Sequence, residues 1–266
     1  MNSVKQILSI LLFSFFTISV MAQEQEENTV SKYPDQSIAR PTKNYIKINL
    51  LGIALKNYSV QFEHAFSKRI SLAIGYRSMS KGALPMKSQL LSSVGSNDPA
   101  TEDQINKLLV GNTALTPELR FYVGKKGYGR GFYFAPFYRI QHFTAENIEV
   151  SFTNSTNTQS TLAISGKLDA NTIGLLLGAQ WKLGKHVSLD WQIIGPQYGS
   201  SKGTLSGTPS PVLNVTEQNA LRDELNNNLD IPFVDKKVEV TSNNAKVILS
   251  GPWAGVRTGL SLGISF

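Results

Sequence analysis

The chain has 266 residues, a formal net charge of +7 and no cysteine. The missing cysteine excludes a lipid-modified N-terminal Cys, a disulfide framework and every thiolate metal site. The basic balance suits acidic head groups or polyanions, although a modest surplus of Lys and Arg is by itself the mark of a solvated surface.

Residues 1–22 divide into a short start carrying Lys5, an apolar stretch from Ile7 to Val20, and a small-residue exit at Met21-Ala22 before Gln23. These are the three regions of a secretory signal peptide. The apolar stretch is about 14 residues against the roughly 20 of a spanning helix, so it is read as a signal and not as an anchor. Residues 23–43, rich in Glu, Gln, Asn, Ser and Pro without an apolar period, read as a flexible periplasmic lead-in. The folded body is 44–266.

That body is a succession of period-two segments, in which alternate residues point to opposite faces of a strand. Ile46, Ile48 and Leu50 alternate with Lys47 and Asn49 in Tyr45 to Ile53. Val60, Phe62 and Phe66 alternate with Gln61, Glu63 and Ala65; Leu72, Ile74 and Tyr76 with Ala73, Gly75 and Arg77. Further along, Leu119, Phe121 and Val123 alternate with Glu118, Arg120 and Tyr122, and Phe134, Tyr138 and Ile140 with Ala135, Arg139 and Gln141. Ile173, Leu175, Leu177 and Trp181 then oppose Gly174, Gly178, Gln180 and Lys182, while Leu189, Trp191 and Ile193 oppose Ser188, Asp190 and Gln192. The last segment, Ala254 to Phe266, sets Val256, Leu260, Leu262, Ile264 and Phe266 against Gly255, Arg257, Gly259, Gly263 and Ser265. The number of segments is eight. Pro117 is expected at a strand start and Pro136 at a bulge, because proline cannot donate to the ladder.

Connections of two lengths alternate between these segments. Ser67-Lys68-Arg69, Lys125 to Arg130 and Gly184 to His186 are short, whereas Lys81 to Ala114, Thr144 to Asn171 and Gly195 to Asn244 are long. The first connection, Leu55-Lys56-Asn57, must be a tight hairpin. An even strand number, short turns on one side, long loops on the other and an apolar outward face make up the signature of an all-β, eight-stranded antiparallel transmembrane barrel with both termini on the short-turn, periplasmic side. A secreted soluble β-barrel or sandwich is the alternative, with the apolar faces turned inward. It leaves the small Gly and Ser residues between the charges without a reason, whereas a narrow lumen requires them.

If the polar faces point inward, the lumen holds Lys47, Arg77, Arg120, Arg139, Lys182 and Arg257 with Glu63, Glu118 and Asp190. Charges in so narrow a space must pair or hydrogen-bond, which predicts a salt-bridged plug. The functional alternative is a selective pore or relay, and the excess of Arg over carboxylate leaves some positive charge unmatched, which leaves open bound water, anions or a wider lumen. Two loops carry helix signals: Asp98-Pro99 ahead of Ile105, Leu108 and Leu109, and Thr216 to Leu229 with Leu221, Leu225 and Leu229 at four-residue spacing. Such helices are expected to cap the barrel mouth or to present a binding surface. Asn154 to Gln159 has little to pack and is expected to be a mobile tip.

His64, His142 and His186 are too scattered for a metal cluster. The only catalytic arrangement worth naming is His142 with Thr144 and Glu146 or Glu149, which would make an outer-membrane lipid hydrolase, but sequence adjacency does not align nucleophile, base and orienter. The expectation is therefore no catalytic residue, no cofactor and no metal.

Asn49-Leu50-Leu51-Gly52, then Tyr58-Ser59-Val60-Gln61-Phe62-Glu63 and Ser71-Leu72-Ala73-Ile74-Gly75-Tyr76, with Leu115 to Tyr122 and the terminal Gly263-Ile264-Ser265-Phe266, resemble a family of small Bacteroidetes outer-membrane barrels of uncharacterised function, related in architecture to the OmpA and OmpX barrels. The resemblance implies that Leu260, Leu262, Ile264 and Phe266 form the signal read by the barrel-assembly machinery. With no peptidoglycan-binding domain after the barrel, it does not imply wall tethering. The expected role is non-enzymatic, structural or adhesin-like, exercised through the long loops. A small, largely plugged channel, the lipid hydrolase and the soluble binding protein stand as alternatives. Expected partners are outer-membrane lipid, lipopolysaccharide, the assembly machinery and a surface ligand, without nucleic acid.

Overall fold

The computed structural model describes residues 42–54, 56–85, 87, 99–124, 126–228 and 233–266. The expected signal peptide and all of the lead-in before Thr42 lie outside the described residues. Thr42 and Lys43 are already engaged: Lys182 Nζ donates to the Thr42 hydroxyl, and the Ala65 N–H donates to the Lys43 carbonyl.

The described residues form strands β1 (Asn44–Asn49), β2 (Tyr58–Ala65), β3 (Ile70–Ala83), β4 (Leu109–Val123), β5 (Gly131–Thr153), β6 (Gln159–Lys182), β7 (Val187–Gly207), β8 (Asp235–Val240) and β9 (Ala245–Ser265), with helices α1 (Leu50–Ala54), α2 (Pro99–Lys107) and α3 (Val215–Asn228). Every pairing is antiparallel. The order runs from β1 to β7 and then to β9, which pairs back with β1, so eight strands close a ring and β8 adds to β9 outside it. The ring is clipped shut at its ends by reciprocal backbone bonds between Asn44 and Phe266, 3.1 and 3.0 Å long. The fold is thus the expected eight-stranded antiparallel barrel, with one strand more than the sequence pattern predicted.

The side on which apolar residues lie reverses partway along the strands. On β6, Ile173, Leu175 and Leu177 face outward and are 68%, 46% and 47% exposed, while Thr172 and Gln180 point inward and are buried. Beyond Thr172 the same strand turns polar residues outward, Asn171, Asp169 and Lys167, and buries Ala170, Ile164 and Leu162. β5 achieves the reversal with a bulge between Ala145 and Ile148, where Asn147 has φ 60°. Inward residues are odd-numbered up to Phe143, and after the bulge Ile148, Val150 and Phe152 take over. One extra residue re-aims every side chain that follows it.

Near the short-turn end the outward surface is therefore a continuous apolar band that includes Ile46, Phe62, Ile74, Leu115, Phe134, Leu175, Trp191 and Leu262. Along β6 it runs from Leu183 to Ile173, roughly 33 Å of strand and about 25 Å of height at a tilt of ~40°. Tyr58, Tyr76, Tyr138 and Tyr198 stand exposed near its upper limit; Phe66, Phe132 and Phe266 stand exposed at the short-turn end. An apolar band between two aromatic girdles is the surface of a barrel built for a bilayer. Among the described residues no helix is long and apolar enough to cross a membrane.

Above the band the strands continue into a cap with an apolar core. Met79, Val110, Ile148, Val150, Phe152, Leu162, Ile164, Val247 and Leu249 from the sheet pack with Ile105 and Leu108 at α2 and with Leu221 and Leu225 of α3. Both helices fall where the sequence signals put them; Asp98 and Leu229 lie outside the described residues. The regions expected to be long loops are in large part strand, because their inward residues are apolar and the pattern sought was apolar-outward. The 154–158 turn, expected to be a mobile tip, is tied by the Asn154 side chain, which accepts from the N–H groups of Thr156 and Thr158, and by Ser155, which donates to Glu217.

Three further expectations are corrected. β1 stops at Asn49, and the tight hairpin is replaced by the single turn of α1, whose Gly52 N–H is capped by Asn49 Oδ1 at 3.0 Å. Pro117 lies in mid-strand, and Pro136 requires no bulge. Both fall where the β4–β5 ladder skips pairs while the register from Leu115↔Ile140 to Phe121↔Phe134 stays constant.

α3 begins with a reciprocal cap: the Glu217 N–H donates to Asn214 Oδ1 and the Asn214 N–H donates to Glu217 Oε2, each at 3.0 Å. The backbone N–H groups of Asn214 and Ser155, with the Ser155 hydroxyl, hold the Glu217 carboxyl below its usual value. A lowered pKa contributes stability above the ordinary carboxylate range that is lost as pH falls through the lowered value. Amide exchange in the first turn of α3 should accordingly speed up on acidification and lose that pH dependence in Glu217→Gln. Leu225→Ala should cost about 2–5 kcal/mol by opening a void in the cap, read as faster exchange throughout α3 with the barrel strands still protected.

Candidate functional site

Inside the apolar band the lumen is filled by a polar network. Its centre is Arg120 of β4, which is fully buried and reaches three other strands. Its Nη1 donates to Asp190 Oδ2 on β7 at 2.7 Å and to Glu63 Oε2 on β2 and Gln180 Oε1 on β6, both at 3.1 Å. Nη2 donates to Gln61 Oε1 at 2.9 Å, and Nε to Glu118 Oε1 at 2.6 Å. Lys47 of β1, also fully buried, donates to Glu63, to Gln180 at 2.6 Å and to Asp190 at 2.7 Å. Arg257 of β9 closes the set by donating to Glu118 Oε2. Three cations thus face three carboxylates.

Hydroxyls and amides take up the remaining lone pairs. Ser71 and Tyr122 donate to Glu63 Oε1 at 2.5 and 2.7 Å, and Tyr133 donates to Asp190 Oδ1 at 2.8 Å. Gln61 Nε2 donates to Glu118 Oε1 at 2.9 Å. The guanidinium of Arg120 lies 4.5 Å from the centre of the Tyr133 ring. Tyr122, Tyr133, Ala135, Phe137 and Leu176 fill the space beside the charges. Glycine makes room for those rings: a Cβ on Gly178 would stand 2.4 Å from the Tyr133 ring, and one on Gly174 2.4 Å from the Phe137 ring. Tyr133 and Phe137, departures from alternation in the sequence, are therefore parts of the plug.

The structure does not bring every expected luminal residue into this network. Lys182 is near the short-turn end, bonded to Thr42 and 5.9 Å from the Tyr45 ring centre. Arg77 and Arg139 lie on the cap side of the plug. Arg77 donates to Asn112 Oδ1, and Arg139 makes no ion pair among the described residues. Gln61, Gln180, Tyr122 and Tyr133 are uncharged members of the network, and each lies on the inward register of its strand.

His142 is exposed on the outward face, with Nδ1 2.6 Å from Asp169 Oδ1. The carboxylates expected beside it are engaged elsewhere: Glu146 pairs with Lys81, and Glu149 with Lys107. His64 contacts Asn44, and His186 the Ser265 carbonyl. Among the described residues, no group of His, Asp and Glu could hold a metal ion. Leu262, Ile264 and Phe266 are exposed on the outward face of β9, with Leu260 half-buried in the same row.

A family model described as a protein of unknown function, DUF3575, matches residues 12–200 of the chain. No curated protein matches it. Among solved structures, CarO of Acinetobacter baumannii is similar at 15% identity and a TM-score of 0.34, over 80% of this chain and 98% of that one.

Removing Arg120 leaves Asp190, Glu63 and Glu118 buried against too little positive charge, so Arg120→Gln should destabilise the barrel by about 3–5 kcal/mol. Denaturant unfolding in detergent would measure it. The double variant with Asp190→Asn should recover part of the loss, since one uncompensated charge goes with its partner.

Proposed function

We propose that the chain, which belongs to the DUF3575 family of proteins of unknown function, is a plugged outer-membrane barrel with a folded cap and a non-enzymatic, structural or surface-recognition role. The observation that carries this reading is the reversal of the apolar side along β6, outward at Ile173, Leu175 and Leu177 and inward at Ile164 and Leu162. A soluble barrel keeps its apolar side inward from end to end, and an exposed apolar band of this extent is not tolerated in water. A strand that passes from bilayer to water loses its outward apolar residues where it leaves the hydrocarbon, and here the inward residues become apolar beyond that level.

The short turns and both ends of the barrel then face the periplasm, and the cap faces outward, where loops and extensions carry recognition. The outward row Leu260, Leu262, Ile264 and Phe266 serves as the signal for the barrel-assembly machinery. The plug argues against conduction, because Lys47, Arg120, Glu63 and Asp190 are all 0–1% exposed across the lumen. The engagement of Glu146 and Glu149 by lysines argues against the lipid-hydrolase reading.

The protein should be recovered from the outer-membrane fraction and migrate faster on electrophoresis before boiling than after. Leu175→Lys, at the middle of the band, should cost about 2–4 kcal/mol of folding stability in vesicles, whereas Lys167→Leu on the outward face of the cap should be tolerated. Recovery in the soluble fraction with both substitutions neutral would overturn the membrane reading. Steady conductance in planar bilayers would overturn the plug.

A further inference from the structure

We propose that the lumen on the cap side of the plug is a binding site for a phosphoryl anion, held by Arg77 of β3, Arg139 of β5 and Arg257 of β9. The three guanidinium groups interact electrostatically with one another, and Glu118 is the carboxylate that faces them. Glu118 is already bonded to Arg120 and Arg257 within the balanced network. Half-buried Arg77 and buried Arg139 are therefore two cations in surplus.

The unpartnered atoms have one chemical character. Arg77 Nε, Arg139 Nε and Gln141 Nε2 are buried without a hydrogen-bond partner, and all three are donors. Register brings them together: Arg77 and Gln141 flank Ala114 in one cross-strand row, and Arg139 is two residues from Gln141 on the same inward face of β5. Ala114 and Gly75, on the same inward faces, are small. Converging donors with two surplus positive charges call for a ligand that only accepts and that carries about two negative charges, which is the description of a phosphate monoester or phosphate ion. Guanidinium forks fit its oxygens in bidentate fashion, which a lysine cluster would not do.

The ionic plug bounds the site on one side, and on the other lie the Phe143 and Trp253 rings, whose centres are 5.1 Å apart. Approach is from the flank. Arg139, at the back, is 5% exposed, whereas Arg77 and Arg257 keep partial exposure. They belong to β3 and β9, the strands separated by the short β1–β2 hairpin, whose pairing reaches only Ser78 on β3 and Ser261 on β9. A soluble phosphorylated solute and the head group of a phosphorylated lipid share this chemistry, and the two are distinguished by experiment.

The full chain, folded in detergent in phosphate-free buffer, would be titrated with inorganic phosphate and, separately, with a phosphomonoester lipid and its dephosphorylated counterpart, following the unfolding temperature. A saturable rise is expected, with the half-effective concentration about tenfold or more higher in Arg139→Gln and unchanged in Lys167→Gln, whose side chain faces outward. A response to inorganic phosphate identifies a soluble ligand class; a response confined to the phosphorylated lipid identifies a head group. Without ligand, Arg139→Gln should unfold at the same or a higher temperature, because it removes an unmatched charge. No response in any arm, an equal response in Arg139→Gln, or a lowered ligand-free unfolding temperature in that variant would each overturn the proposal.

Discussion

The structure depends on one constraint: an eight-stranded ring encloses only enough space for side chains, and the side chains that point into it here are charged. Arg120 meets the constraint by sharing its guanidinium N–H groups among Asp190, Glu63, Gln180, Gln61 and Glu118. Lys47 brings the second charge to the same carboxylates from the strand that closes the ring. With Arg257 on Glu118, the charges balance. Everything else in the lumen follows from this packing. The glycines admit the rings of Tyr133 and Phe137, the hydroxyls satisfy spare carboxylate lone pairs, and the outward face is left free to be predominantly apolar.

The same strands solve a different problem above the apolar band. There the ring continues into water, so the inward side chains can pack as an ordinary apolar core and the outward ones can be polar. β6 makes the change without altering its register, simply by what its sequence places at Asn171 and Thr172. β5 makes it with the extra residue at its bulge. The cap is consequently continuous with the barrel, and its helices close over a core that the sheet itself supplies.

These two regimes explain what could be read from the sequence. The outward apolar rows from Ile46 to Phe266, the short turns and the inward charges were legible because alternation with charge on one face is a strong pattern. The cap strands were not: on β6 the core residues Leu162 and Ile164 lie on the opposite register from outward Ile173, Leu175 and Leu177, while on β5 Ile148, Val150 and Phe152 continue the register of outward Phe134 and Tyr138 and are turned inward only by the bulge. Proline misled in a second way: Pro117 and Pro136 imply broken ladders, and they are accommodated by skipped pairs at constant register. Of the network, the charges were legible and the partners were not. Tyr122, Tyr133, Gln61 and Gln180 become members only when six strands are brought around one point, which no local pattern reports. The separation of Arg77 and Arg139 from the balanced set also required the third dimension.

The position of Lys47 has a consequence for how the barrel comes into being. Its partners are Glu63 on the neighbouring strand and Asp190 on β7, far along the chain. A sheet that has formed from β2 to β7 but has not yet curled holds more carboxylate than cation on its inner face around Glu63 and Asp190, and it keeps that face hydrated. Only when the first strand meets the last does Lys47 reach both groups at once and allow water to leave. Closure and desolvation are therefore one event, and an open sheet has no dry intermediate in which to rest. The first strand acts as the latch of the ring, and the charge it carries completes the pairing of Glu63 and Asp190 begun by Arg120.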